Sequence, residues 1–183
     1  DQVARLTTRG ASVAGASVAM SQMPAGGGTP LLDGLFPGIL HADQEPGPKL
    51  LVLMTDGRNN SSWLSGTSVI DSARRHETVV YPVAVGVDRK WTSGVTPLRR
   101  TSDSLALLEV IAEQTGGRAV EAQWDTRLGE VFRQILCEYR QRYILTFTPE
   151  GVGSGDGWHT LDVKVRRRGV LVRARSRYWT GGS

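Results

Sequence analysis

The sequence has only one cysteine, Cys137, and no long apolar run. A single cysteine excludes an intramolecular disulfide, and we expect Cys137 to be a partly buried small residue on a helix. A free reactive thiol and an intermolecular bridge are the alternatives. A membrane-spanning helix needs about 18 consecutive apolar residues or more, so none is predicted. The other proportions, 39% hydrophobic and 22% charged among 183 residues, are typical of one soluble domain with or without a small appendage.

Motifs of the common enzyme classes are missing as well. The three histidines, His41, His76 and His159, form neither a close pair nor a His-Glu-x-x-His motif. There is no Gly-x-Ser-x-Gly nucleophile elbow and no Gly-x-x-x-x-Gly-Lys-Ser/Thr phosphate loop. The glycine run 26–28 has no strand before it, which argues against a dinucleotide fingerprint. We therefore expect a binding module and not an enzyme.

Positive charge is concentrated in the last third of the chain. The formal net charge is +4, and residues 130–183 carry +5 while residues 1–129 carry −1. Such a basic excess attracts anionic partners such as nucleic acid. Arginines that alternate along a hairpin are also the usual solvated face of a half-buried strand, and we prefer that interpretation. The arginines in question are Arg166, Arg167, Arg168, Arg173, Arg175 and Arg177.

Short apolar runs alternate with helical stripes up to about residue 142. Runs without internal alternation are typical of parallel strands that are covered on both faces. These predicted strands are 50–54, 78–86 and 118–121. Helices are predicted from apolar residues at 3.6-residue spacing. They cover about 31–40, 67–76, 105–112 and 126–141, with a weaker one at 10–21. This order predicts an α/β fold with a Rossmann-like, mostly parallel sheet and helices on both faces.

Prolines and aromatics refine this prediction. Pro37 indicates that the first helix is short or kinked there. Pro82 is awkward in a central strand and favours a position nearer the sheet edge. Asp125 or Thr126 is the predicted N-cap of the 126–141 helix. The aromatic side chains of Phe132, Tyr143 and Phe147 are expected in the core.

After residue 142 strands follow strands. Residues 143–148 are predicted to form a strand, and residues 161–165 and 170–175 to form a β-hairpin around a turn at Arg168-Gly169. The sequence therefore divides into residues 1–142, a partial α/β domain, and residues 143–183, an antiparallel C-terminal β-hairpin extension.

Two motifs carry a family resemblance. One is Gly-Gly-Thr-Pro-Leu-Leu-Asp-Gly-Leu at 27–35, and the other is the apolar run 50–54 followed by Thr-Asp-Gly at 55–57. In this order and spacing they resemble the von Willebrand factor type A (VWA) family. The resemblance implies a metal-ion-dependent adhesion site in which Thr29 and Asp56 hold one divalent cation, Mg²⁺ or else Mn²⁺ or Ca²⁺. It further implies adhesion-type protein binding, with a partner that offers an acidic residue.

The chemistry of such a site is consistent with these residue types. Mg²⁺ takes six oxygen ligands and keeps several waters. A site with neutral hydroxyls and few carboxylates leaves the ion under-neutralised, so that a partner carboxylate completes the shell; Asp56 would act directly or through water. The simpler alternatives are a plain turn at Asp56 and an N-cap at Thr29. Asp33 is expected to be structural, and Trp63 to contact a partner.

The resemblance extends over most of residues 6–179, with one departure. Residues 81–87 and 107–118 resemble later elements of the family, and 132–179 resemble a bacterial, acidobacterial-type subgroup, which implies an exported, periplasmic or cell-surface context. However, the family's Asp-x-Ser-x-Ser motif is not found before Thr29. We therefore expect that residue 1 is not the natural N-terminus and that this chain is a fragment with half of the metal site. The alternative is a degenerate domain that binds no metal.

Overall fold

Helices and strands alternate along the described part of the chain, and two strands follow at its end. The computed structural model describes residues 22, 26–44, 46–86, 103–122, 128–151 and 157–180. The helices are α1 (Leu31–Asp43), α2 (Gly66–Arg75), α3 (Asp103–Thr115) and α4 (Leu128–Arg140). The strands are β1 (Leu50–Thr55), β2 (Val79–Val85), β3 (Val120–Ala122), β4 (Gly157–Thr160) and β5 (Arg177–Thr180). The predicted helix at 10–21 and the predicted N-cap at Asp125 or Thr126 lie outside the described residues.

The first three strands form a parallel sheet in the order β1–β2–β3. β1 pairs with β2 from Leu50 opposite Val79 to Thr55 opposite Ala84. β3 pairs with the end of β2, starting at Val83 opposite Val120. The strand–helix alternation thus yields a mixed α/β fold with a parallel sheet, as the sequence predicts.

Helices pack on the two faces of this sheet because neighbouring side chains of a strand point in opposite directions. Val80 of β2 joins a buried cluster with residues of α1, α2 and α3, including Leu35 and Ile111. Tyr81 and Val83 belong to a second cluster that includes Ile135 of α4. Apolar packing on both faces therefore fixes the positions of β1 and β2, and the loops that follow these strands start from fixed ends.

The prediction for Pro82 is wrong, and at Pro37 the structure excludes a short helix. α1 continues through Pro37 to Asp43, so the helix is not short. Pro82 lies in β2, which is the middle strand of the three described and not an edge strand. β3 pairs with β2 only from Val83 onward. The proline, which lacks a backbone N–H, therefore lies where β2 has β1 alone as a ladder partner.

The C-terminal extension is an antiparallel ribbon whose strands lie at its outer ends. β4 and β5 pair from Gly157 opposite Thr180 to Thr160 opposite Arg177, whereas 161–165 and 170–175 were the predicted strands. The N–H of Leu161 still donates to the carbonyl of Ser176 at 2.8 Å. The hairpin is thus correct in topology, and its hydrogen-bonded ladder is displaced outward.

Three further predictions about the second half are wrong. Residues 143–148 form no strand, and Tyr143 and Phe147 are 91% and 50% exposed. Strand-forming composition gives no strand without a ladder partner, and none of the described residues provides one. Cys137 lies on α4 as expected but is exposed. It is two residues beyond the buried Ile135, which turns it away from the core on a helix with 3.6 residues per turn.

The ribbon is attached to the end of α2 by Arg175. Its guanidinium donates to the carbonyl oxygens of Ala73, at 3.1 Å, and His76. Carbonyls at a helix C-terminus lack intrahelical donors, and this contact satisfies them. Burial lowers the pKa of the Arg175 guanidinium, although the nearby carboxylates of Glu77 and Asp43 oppose the shift; an arginine stays charged at neutral pH nonetheless.

Candidate functional site

Asp56 lies at the carboxyl end of β1, where the chain leaves the sheet and enters the β1–α2 loop (residues 56–65). Its carboxylate accepts a hydrogen bond from the backbone N–H of Arg58 at 3.0 Å, and the Nε of Arg58 lies 3.6 Å from the other oxygen. The N–H of Gly57, with φ of +83°, donates to the hydroxyl of Thr55. Asp56 is therefore part of a compact turn, and its side chain is 47% exposed.

The loop that carries Thr29 (residues 26–30) pairs with the β1–α2 loop. The N–H of Thr29 donates to the side-chain oxygen of Asn60 at 2.6 Å, and its carbonyl accepts from the N–H of Asn60 at 3.3 Å. A Cβ on Gly28 would lie 2.5 Å from the hydroxyl oxygen of Ser61, so only glycine allows this approach. The structure thus brings the loops of the two sequence motifs together.

Thr29 is not the residue that caps α1. The N-cap position is Pro30, and no side chain provides a capping hydrogen bond there. The capping explanation of Thr29 therefore does not apply; the residue is partly buried, and its backbone contacts the β1–α2 loop.

Asp33, in the first turn of α1, fixes the far half of the β1–α2 loop. Its carboxylate accepts from the N–H of Trp63, at 3.1 and 2.9 Å, and from the N–H of Leu64 at 2.9 Å. The hydroxyl of Ser62 accepts in turn from the N–H of Leu32 at 2.9 Å. Asp33 is therefore structural, as the sequence predicts, and it ties the loop to the start of α1.

The polar run Asn59-Asn60-Ser61-Ser62 was the part of the site that sequence reasoning missed. Asn60 holds Thr29, and the hydroxyl of Ser62 donates to the side-chain oxygen of Asn59. The hydroxyl of Ser61 is buried without a hydrogen-bond partner among the described residues. The signal was four consecutive short polar residues between a buried strand and a helix, a composition that indicates a loop but not its contacts.

The oxygen atoms at these loops match a hard divalent cation in type but not in number. Thr29, Asp56 and Ser61 offer hydroxyl and carboxylate oxygens, the ligands that Mg²⁺ prefers. Within the described ranges, however, no group of three or more His, Cys, Asp or Glu residues is placed to hold a metal ion. Six ligands would need water, other residues or a partner to supply the remainder.

The basic ribbon is less free for anionic partners than its sequence indicates. Arg173 pairs with Glu138 at 3.1 Å, and Arg175 is engaged at the end of α2. The rings of Trp158 and Trp179 contact each other edge-on at 5.2 Å, and the guanidinium of Arg75 lies 4.5 Å from the Trp179 ring centre. These aromatic faces are therefore already occupied by intramolecular contacts.

Comparisons with known proteins show no family. No family model matches the sequence, and no curated protein matches it. The chain is similar to a solved structure of an uncharacterized membrane-spanning protein from Vibrio fischeri, with 23% identity and a TM-score of 0.39. The match covers 52% of this chain and 49% of that one, so the chain spans about half the length of that structure. A likeness this slight supports no conclusion about the fold or the function.

The helices within the described residues were also compared with what a bilayer requires. None of them combines the length and apolar character needed to cross one.

Proposed function

We propose that this chain is a protein-binding module of the Rossmann-like VWA type, and that it binds through the paired loops 26–30 and 56–65. A divalent cation, Mg²⁺ or else Mn²⁺ or Ca²⁺, belongs to this proposal, with Thr29 and Asp56 as its ligands. The observation that carries the proposal is the two-way pairing of Thr29 with Asn60. This pairing joins the loop of the first motif to the loop that follows the second motif beyond β1, and open α/β sheets bind their ligands at the carboxyl ends of their strands.

The chain's own residues would orient and not transform a ligand. The backbone of Thr29 is held by Asn60, and the carboxylate of Asp56, just after β1, is held by the N–H of Arg58. A bound cation would supply the positive charge that attracts a partner's carboxylate. The exported or cell-surface context that the resemblance implies is part of the same proposal.

Titration calorimetry with MgCl₂ and MnCl₂ tests the metal component. We expect saturable binding that Asp56→Ala and Thr29→Ala abolish and that Asp162→Ala, at an exposed carboxylate of the ribbon, leaves unchanged. Because few protein ligands are present, the binding should be weak. If no cation saturates the wild-type chain, or if all variants titrate alike, Thr29 and Asp56 are not its ligands.

One observation favours a second candidate, a protein-binding scaffold without metal. Arg58 engages the Asp56 carboxylate through its backbone N–H and lies close with its guanidinium, which is the arrangement of a self-contained turn. In that case Arg58→Ala leaves the chain equally unable to bind a cation. If Arg58→Ala instead strengthens Mg²⁺ binding, the guanidinium competes with the ion and the metal proposal stands.

A further inference from the structure

Trp63 is the most exposed of the large apolar side chains in the described residues. It is 96% exposed, whereas the next, Tyr143, is 91% exposed. A tryptophan buries roughly 200 Å² when it is covered, so leaving it in water forgoes a substantial hydrophobic contribution to folding. Exposed apolar residues that occur singly are ordinary, and exposure alone therefore assigns no role.

What distinguishes Trp63 is the fixed backbone beneath the exposed ring. Asp33 accepts from its N–H and from that of Leu64, and Leu64 itself packs against the core. One residue further on, Ser65 caps α2 by accepting from the N–H of Ser68. Segments on both sides of Trp63 are thus tied to helices, and the backbone loses little entropy when the ring is bound.

The same loop carries an exposed cation. The side chain of Arg58 is 75% exposed, and its guanidinium has donors beyond the one near Asp56. Tryptophan, tyrosine and arginine are the residue types that most often dominate the binding energy of protein interfaces. A partner that covers this loop therefore meets an exposed indole on a fixed backbone and a guanidinium within six residues of sequence.

We infer that Trp63 is the anchor of a protein interface, and that its partner offers an apolar recess for the indole and a carboxylate for Arg58. The exposed guanidinium of Arg58, whose donors are not all directed at Asp56, favours an acidic protein segment as the occupant. The inference rests on the proposed function only in taking the ligand to be a protein, and it needs no metal.

The test uses a phage-displayed random peptide library panned on the immobilised wild-type chain, with counter-selection on Trp63→Ala. We expect enriched peptides that combine apolar residues with Asp or Glu. Synthetic versions of these peptides should lose at least about tenfold in affinity on Trp63→Ala and on Arg58→Ala. Tyr143→Ala, which removes an equally exposed aromatic ring, is the matched control and should leave the affinity unchanged.

Three results would overturn the inference. They are an absence of enrichment over the counter-selection, peptides that bind wild type and Trp63→Ala alike, and an equal loss in Tyr143→Ala. If no peptide is enriched, two other occupants are tested, a second copy of the chain by sedimentation and a membrane by binding to phosphatidylglycerol vesicles. If Trp63→Ala abolishes either of these interactions, the ring binds that occupant and not a peptide. Urea unfolding of each variant shows that the fold is retained.

The two proposals fail independently. If the chain binds Mg²⁺ and Trp63→Ala has no effect on peptide affinity, the metal site is supported and the role of Trp63 is contradicted. If peptide binding depends on Trp63 but not on Mg²⁺ or Asp56, the role of Trp63 is supported and the metal site is not.

Discussion

Asp33 shows how one carboxylate organises a binding loop. It accepts from two backbone N–H groups of the β1–α2 loop, and hydrogen bonds to a charged group each contribute about 1.5–3 kcal/mol when shielded. Because the contact to Trp63 is exposed, we expect Asp33→Ala to lower the free energy of unfolding by about 1–3 kcal/mol. Urea denaturation measures this. Asp162→Ala, which removes only an exposed pair with Lys164, should cost less than about 1 kcal/mol; equal losses would contradict the role of Asp33.

Asp43 makes the stability of the fold depend on pH in the acid range. Partial burial of Asp43 raises the pKa of its carboxyl, but hydrogen bonds from the Glu77 N–H and from Lys49, together with the Lys49 charge, outweigh this and hold the pKa below its usual range. A lowered folded pKa contributes stability that is fully present above the unfolded value of about 3.9 and is lost as pH falls through the folded pKa.

We therefore expect Asp43→Asn to be less stable than wild type at pH 6, with the difference shrinking below about pH 4. Urea midpoints measured from pH 6 down to pH 2.5 would check this (the range being about that over which an Asp titrates). A difference that stays constant over the whole range would show that the Asp43 contacts contribute nothing through its ionisation.

At this scale the sequence predicts residue types better than contacts. Asp33 was identified as structural because it lies one helical turn beyond Thr29, a spacing visible in the sequence. Asn60 was missed, because its contact with Thr29 spans 31 residues and no local pattern encodes it. Whether Asp56 is a ligand depends on groups that come from outside its own loop, which sequence spacing does not reveal.

At the scale of elements, two glycine-to-alanine substitutions that should change stability in opposite directions test the packing. A Cβ on Gly117, between α3 and β3, would lie 2.1 Å from the carbonyl oxygen of Val80, and backbone does not yield easily. Gly34 lies inside α1 with nothing within 4 Å of its added Cβ. We expect Gly117→Ala to destabilise the fold by about 3 kcal/mol or more and Gly34→Ala to stabilise it by about 0.5–1 kcal/mol.

Thermal unfolding followed by circular dichroism measures both variants under one condition. A stable Gly117→Ala would mean that α3 and β2 are not in close contact at Val80. A destabilised Gly34→Ala would mean that the exposed face of α1 is covered.

Elements whose signal is local were predictable, and elements that depend on distant partners were not. The stripe of α4 and the apolar run of β1 are encoded in a few consecutive residues, and both are present with bounds shifted by only one or two residues. The position of Pro82 within the sheet depends on where β3 pairs, and a strand at 143–148 depends on a neighbour. Hydrophobic periodicity and strand propensity do not show which strands pair or where a pairing begins.

At the scale of the whole molecule, the ribbon and the α/β part are joined by specific polar contacts. Arg175 binds carbonyls at the end of α2, and the hydroxyl of Ser176 donates to Gln114 of α3 at 2.9 Å. From the α/β side, Arg75 lies over the rings of Trp158 and Trp179. These contacts cross the boundary at residue 143 that the change of period suggests. The boundary therefore separates two patterns of sequence and need not separate two units of unfolding.

Unfolding measurements decide between these possibilities. We expect the urea transitions of wild type, followed by far-ultraviolet circular dichroism and by tryptophan fluorescence, to coincide, since coincidence of probes marks a single cooperative transition. Arg175→Met removes the charged donor from the α2 carbonyls and should cost about 2 kcal/mol. Because the ribbon then loses one of its polar attachments, its tryptophans, Trp158 and Trp179, should report unfolding at a lower urea concentration than the helices do when the other three tryptophans are replaced by phenylalanine.

Arg167→Met is the matched control, since it removes an exposed arginine near the hairpin turn and should leave both midpoints in place. If Arg175→Met instead lowers the two midpoints together, the ribbon remains coupled through its aromatic contacts with Arg75. If Arg175→Met changes neither midpoint, the guanidinium contributes nothing measurable and apolar packing holds the ribbon in place. Separate transitions already in wild type would make the ribbon an independent unit, and the basic charge of the last third would then belong to a surface that moves apart from the paired loops.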